Sequence, residues 1–118
     1  MGVVYYANYL VWMEVGRAEY CRSIGFEYRE MEANDRILLA VVDAHCRYVA
    51  PARYDDEIVV TTSILKANRR MVAFGYEIAR HSGDPLATGE TTHIFMSPDF
   101  KPVKLPPKYF DYFGVVPK

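Results

Sequence analysis

Several things are scarce in this sequence, and each scarcity excludes something. Only two cysteines occur, Cys21 and Cys46. One falls in a predicted helix and one in a predicted strand, at no metal-type spacing, so they read as buried thiols in a reducing compartment rather than as a disulfide. No run approaches the roughly 20 apolar residues needed to cross a bilayer. Met1 is followed by neither a charged leader segment nor a cleavage pattern, so the cytoplasm is the expected location. An excess of either charge is missing too. The net charge is −1 and no basic block occurs, so neither nucleic acid nor an anionic membrane surface is an expected partner. With no repeats, linkers or shifts of composition, the 118 residues are predicted to form one domain, 1–118, large enough to bury its own core.

What is present is a helix of unusual composition at the very start. Residues 2–17 begin as a glycine-led loop and become a helix that is apolar on nearly every side in its first two turns. Tyr9, Met13, Gly16, Tyr20 and Ile24 recur at spacings of one helix face. Leu10, Val11 and Trp12 widen that face, while Glu14, Arg17, Glu19 and Arg22 make the more polar side. Such a helix is expected to be enclosed by the rest of the chain. Gly25 stands where a left-handed residue would end it.

The remainder reads mainly as strands. Residues 26–36 are a polar, acidic connection with room for one helical turn at Met31. Ile37 to Val49 is a long strand. Leu38, Ala40, Val42, Ala44, Cys46 and Tyr48 form one apolar or small face, with Ile37, Leu39, Val41, Asp43, His45 and Arg47 on the other. Its first half is apolar on both faces and is expected to be buried on both. Pro51 stops it, and 54–56 completes the turn. Ile58 to Lys66 and Arg70 to His81 come next, the latter with Val72, Phe74, Tyr76 and Ile78 inward. After the turn 82–85 comes a last strand, Leu86 to Ser97, in which Gly89 allows a close backbone approach or a bulge. The proline-rich tail is predicted to be an irregular strap with one short helix near 107–112. A buried helix and a meander of long antiparallel strands make an α+β fold.

Gly2-Val3-Val4-Tyr5-Tyr6-Ala7-Asn8-Tyr9-Leu10, with Trp12, Glu14 and Arg17, resembles the opening signature of the hotdog-fold acyl-CoA thioesterases, in the subgroup of 4-hydroxybenzoyl-CoA thioesterase. Residues 43–48, 50–56 and 87–93 are similar to the same family, in order and without a large insertion. The resemblance implies a hotdog fold, in which a long central helix is wrapped by a curved antiparallel sheet. It also implies a substrate that brings its own coenzyme A, no separate cofactor and no metal, and a homodimer or dimer of dimers paired through the strand 37–49. In the family a strand of roughly ten residues precedes the signature and ends in the catalytic aspartate. That position falls just before Met1, which points to a start assigned too late, a trimmed chain or a variant without the base. Histidine is common in the family where Tyr6 stands here.

Thioester hydrolysis needs donors aimed at the carbonyl oxygen as charge develops on it. A helix N-terminus supplies unpaired N–H groups and a partial positive charge. The resemblance therefore assigns the oxyanion site to the backbone at Gly2, Val3 and Tyr6. Tyr5, Asn8, Tyr48, Thr91 and His93 are candidate substrate contacts, although Asn8 fits an N-cap equally well and a lone histidine on a strand is more often structural. Asp43 and His45 share a strand face, but two ligands do not make a zinc site. Arg69, Arg70 and Lys101, with Lys104, are candidates for the phosphates of coenzyme A, a solvated turn and tail being the plainer account. Glu14 is the one helix carboxylate considered as a substitute base, its ordinary partner being Arg17. A hotdog enoyl-CoA hydratase would need an aspartate and a histidine five residues on, and no such pair occurs. An acyl-CoA-binding dimer with impaired catalysis is the reading that remains beside the thioesterase.

Overall fold

The computed structural model describes residues 7–53 and 55–115. The opening stretch folds as α1 (Ala7–Ser23). It stops at Gly25, whose φ of +84° suits a residue without a Cβ. There the Phe26 N–H reaches the Cys21 carbonyl at 2.9 Å and the Gly25 N–H reaches Arg22 at 3.1 Å, the paired closure of a Schellman end. Next comes α2 (Tyr28–Asp35), a full eight-residue helix where the sequence allowed one turn. Its anchors are tertiary. Met31 is fully buried, the Tyr28 hydroxyl accepts the Leu39 N–H at 3.0 Å, and Asp35 takes Lys108 at 2.9 Å and the Tyr109 hydroxyl. A single apolar residue in a polar stretch gives too little periodicity to reveal such a helix.

Four strands complete the core: β1 (Leu38–Tyr48), β2 (Ile58–Ala67), β3 (Met71–Arg80) and β4 (Pro85–Met96). They form one antiparallel sheet in the order β1-β4-β3-β2. On β3 the expected inward set, Val72, Phe74, Tyr76 and Ile78, is buried throughout. On β1 the expected faces are wrong beyond the middle. Val41 pairs with His93 and Asp43 with Thr92, so Val42 is an extra residue, a bulge. Leu39 and Val41 therefore share a face with Phe95 and His93 before the bulge, and Ala44, Cys46 and Tyr48 take that face after it, opposite Thr91, Gly89 and Ala87. One inserted residue exchanges the two faces. The double burial expected of this strand is also not met within the protomer. Val41 is 55% and Val42 54% exposed, because among the described residues β1 is an edge strand with no neighbour on its outer side.

Helix α1 packs chiefly on β2 and less on β3. The contact is close at two glycines. A Cβ on Gly16 would stand 2.7 Å from Val60 Cγ1 and 2.8 Å from Thr62 Oγ1; one on Gly89 would overlap Met13 Sδ. The close approach expected at Gly89 is thus present, and the residue it admits is a methionine of the helix. The enclosure expected around α1 is not complete, since Leu10, Val11 and Val15 are exposed on its outward side. At the C-terminal end of α1 the short helical segment of the tail, a 3-10 turn (Pro107–Tyr109) leading into α3 (Phe110–Phe113), stacks on Phe26. Ring centroids lie 4.9 Å apart for Phe26 and Phe113 and 5.7 Å for Phe26 and Tyr109.

Candidate active site at the start of the first helix

The first turn of α1 meets the end of β1 and the segment after it. The ring of Tyr9 sits edge-on to Tyr48 with centroids 4.9 Å apart, and 4.9 Å from Trp12. The Tyr9 hydroxyl accepts the N–H of buried Ala52 at 3.1 Å, which fixes the helix start against the chain leaving the sheet. Asn8 is half-buried beside it, and no acidic residue occupies this first turn. Of the residues assigned from sequence, Asn8 and Tyr48 are therefore brought to one corner. Gly2, Val3, Tyr5 and Tyr6 lie outside the described residues.

Thr91 and His93 stand elsewhere, in the core beneath the middle of α1. The Arg17 guanidinium donates to the Tyr76 hydroxyl at 3.2 Å; Tyr76 and Thr91 oxygens are 2.7 Å apart, and Thr91 Oγ1 is 2.8 Å from His93 Nε2. An arginine only donates, so the order of the chain can be argued. If Tyr76 passes its hydrogen to Thr91 and Thr91 to His93, one group is orphaned, the Nδ1–H of His93. In the reverse order both the Tyr76 hydrogen and the Nδ1 lone pair lack partners. Nδ1 is unpartnered in either order; the first orphans one group rather than two and is favoured, with the hydrogen on Nδ1 of the neutral ring. Burial, and then the Arg17 charge, lower the His93 pKa to about 4. Neither Arg17 nor Tyr76 stands among the residues assigned from sequence. The signal available was an inward tyrosine, whose hydroxyl must find a partner.

The cations assigned to coenzyme A lie at the other end of the sheet. The Arg69 carbonyl accepts the Leu105 N–H at 2.7 Å and the Arg70 carbonyl the Phe95 N–H at 3.2 Å, while Lys101 closes the turn on Ser97. From Ala87, which pairs with Tyr48, to Phe95 is eight residues of β4, roughly 27 Å. Arg69 also lies 5.8 Å from the Phe110 ring centroid. Glu14 is exposed and makes no ion pair with Arg17; the helix pair that does form is Glu19 with Arg22 at 2.8 Å. His45 is held on the outer face of the sheet between Asp43 at 3.2 Å and Glu90 at 3.3 Å. Among the described residues no three His, Cys, Asp or Glu side chains group as a metal site. Burial pushes the Cys21 thiol up to about 11 and raises that of Cys46, so neither is poised as a thiolate nucleophile.

The profile of the thioesterase superfamily matches residues 1–87, from before α1 into β4. The chain belongs to the thioesterase superfamily. Among its relatives in that superfamily is YneP of Bacillus subtilis, named as a candidate acyl-CoA thioesterase. It is 37% identical over 113 residues, 95% of this chain and 81% of YneP. The acyl-CoA thioester hydrolase YbgC of Escherichia coli O6:H1 is 30% identical over 106 residues, 89% of this chain and 78% of YbgC. A DHNA-CoA thioesterase from Staphylococcus aureus superimposes with a TM-score of 0.90 at 33% identity, covering 97% of this chain and 78% of that one. The α1-on-sheet arrangement is thus the hotdog fold of thioesterases.

Proposed function

We propose that this chain hydrolyses acyl-CoA thioesters to a free acid and coenzyme A. The observation that carries the reading is the superfamily match over residues 1–87, which includes the start of α1. The relatives named for acyl-CoA substrates support the same class. At the helix start the N–H groups of the first turn polarise the thioester carbonyl, a water oxygen bonds to the carbonyl carbon, and the carbon–sulfur bond breaks. The water gives up one proton as its oxygen bonds, and the leaving thiolate takes up a proton to become coenzyme A. One oriented oxyanion donor contributes about 2.7–4 kcal/mol to such a transition state. Asn8 and Tyr48 border the acyl group. The unpaired outer edge of β1 joins that of a second copy, and the reaction takes place in the cytoplasm. Arg69, Arg70 and Lys101, roughly 27 Å from this corner by strand length, serve coenzyme A from the neighbouring subunit of the assembly.

A binding-only protein is the second reading, and one observation favours it: the first turn of α1 holds no carboxylate. The two are separated by assaying thiol release from a panel of aliphatic and aromatic acyl-CoA thioesters. The chain from Met1 is compared with one extended upstream through a strand ending in aspartate. A gain of about 10²–10⁴-fold on extension is expected if that aspartate acts as general base. Equal activity of both lengths would remove that aspartate from the mechanism and direct mutagenesis to Glu14. No turnover by either, with acyl-CoA still bound, would establish the binding-only reading.

A further inference from the structure

Arg17 also faces a region that the thioester corner does not include. A cavity of about 580 Å³ opens where α1, α2 and the start of β1 meet, and Arg17, Arg22 and Arg29 stand in its wall with Glu14 and Glu27. Arg22 is already paired with Glu19. For Arg17 and Arg29 no carboxylate stands within ion-pair distance among the described residues, and Arg17 makes a single hydrogen bond, to Tyr76. A part-buried guanidinium without a counter-ion is an unsettled charge. Its planar fork retains four N–H donors, the geometry that matches a carboxylate bidentately. Tyr28, in the same wall, accepts the Leu39 N–H with its hydroxyl oxygen and so keeps its own hydrogen to donate. With Arg22 paired to Glu19, the wall holds Arg17 and Arg29 against the exposed Glu14 and Glu27, and the uncompensated charge is local to the part-buried Arg17.

We propose that this cavity binds a carboxylate, gripped by the Arg17 fork and assisted by Tyr28 and Arg29. It is a second site. Ten residues of helix separate Arg17 from Ala7, about 15 Å, so the carboxylate made at the helix start does not lie in it. Two sources share this chemistry: a free acid of the kind hydrolysis releases, and a carboxyl group at the far end of a long acyl chain. The site itself stands whether or not the chain hydrolyses thioesters.

The test uses benzoate as the probe, read by the arginine Nε–H resonances and by calorimetry. Benzamide and matched chloride serve as controls. Benzoate is expected to shift the Arg17 resonance and to bind, with Arg17→Met losing at least about 10-fold in affinity. Arg29→Met, on the exposed rim, is expected to lose about 3-fold and covers the case in which the Arg17 variant misfolds. Binding that benzamide or chloride reproduces, or that both variants leave unchanged, overturns the proposal. So does dissociation of an oligomer by Arg17→Met, because the occupant would then be a carboxylate of a second copy. If turnover is present, a long-chain thioester ending in carboxylate is compared with its methyl-ended analogue. A lower KM for the carboxylate form, lost in Arg17→Met, supports the acyl-chain source; benzoate binding without that preference supports the free acid. Benzoate binding without any turnover leaves the site standing and removes only the thioesterase reading.

Discussion

The two ends of α1 are built on opposite plans. At its C-terminal end the backbone closes on itself at Gly25, and Phe26 is clasped by Tyr109, Phe113 and, beyond them, Phe95. Every large ring there has a ring beside it, and Phe26, Phe95 and Phe113 are buried. At its N-terminal end, among the described residues, the edge-on pair Tyr9 and Tyr48 and the hydrogen bond to Ala52 hold the helix, while Leu10, Val11, Val15 and Val49 are exposed. The aromatic content of the two ends is similar. What differs among the described residues is closure: rings cluster where the helix stops, and the end that carries the candidate site shows more exposed apolar surface. Exposed apolar groups clustered beside an unpaired strand edge are the mark of a surface that another chain covers.

The contrast predicts its own largest effect. Phe26→Ala removes the hub of the closed end and should destabilise the protein by about 3–5 kcal/mol, read as a lower urea midpoint with the slope unchanged. The activity of the molecules that remain folded should not alter. If activity fell as far as stability, the two ends would be one cooperative unit and the comparison would fail.

A second effect lies between the ends, in the chain Arg17-Tyr76-Thr91-His93. His93 titrates near its ordinary 6.5 when unfolded and, being buried neutral, only at about 4 when folded. Between those values the unfolded state binds the extra proton, so stability is complete above pH 6.5, falls as the pH drops toward 4, and levels off below. At 1.36 kcal/mol per unit, the window is worth about 3 kcal/mol. Carboxylates held by partners, Asp35 by Tyr109 and Lys108 and Asp56 by the Arg53 N–H and Arg80, are shifted down and act at lower pH. Denaturation at pH 4.5 and 7, repeated on His93→Gln, checks it; a slope that survives the substitution belongs to some other group.

Some of this was legible in the sequence and some was hidden, and the reason is where the information lies. The inward set of β3 and the face of α1 repeat with the period of their own element, so four or five residues suffice to fix them. The bulge at Val42 has no such signal. Valine fits either face of a strand, and only the pairing of Val41 with His93 and Asp43 with Thr92 decides that one residue is surplus. α2 was hidden because Met31 alone carries its burial. The opening signature pointed to the start of α1 as the candidate site, because helix-start chemistry is local. It could not place His93, whose neighbours Arg17 and Tyr76 come from other elements. Nor could it show that Arg69 and Tyr48 stand at opposite ends of the sheet.

At the open end the tie to Ala52 can be cut alone. Tyr9→Phe keeps the ring against Tyr48 but strands the buried Ala52 N–H, for about 1–3 kcal/mol. Because the bond locates the helix start, thioester turnover should drop more than affinity for acyl-CoA. An unchanged kcat would show that the open end does not depend on this tie.

The smallest effect tests the middle of the contact, where α1 and β2 are closest. Alanine at Gly16 should help the helix by up to about 1 kcal/mol. Its Cβ, however, would stand 2.7 Å from Val60 Cγ1 and 2.8 Å from Thr62 Oγ1. Both neighbours are β-branched and stiff at χ1, so the strand or the helix must move, at about 1–3 kcal/mol. The clash exceeds the propensity gain, and Gly16→Ala should be destabilising by about 1 kcal/mol. Val60→Ala alone creates a small cavity and also destabilises. Combined with Gly16→Ala, it makes room for the new methyl group, so the double variant should be more stable than the sum of the two single effects. A thermodynamic cycle measured by urea denaturation reads this coupling directly. Strict additivity would mean that the helix rides above β2 without touching it, and that what holds α1 on the sheet is the polar chain through Arg17 rather than the packing at Gly16.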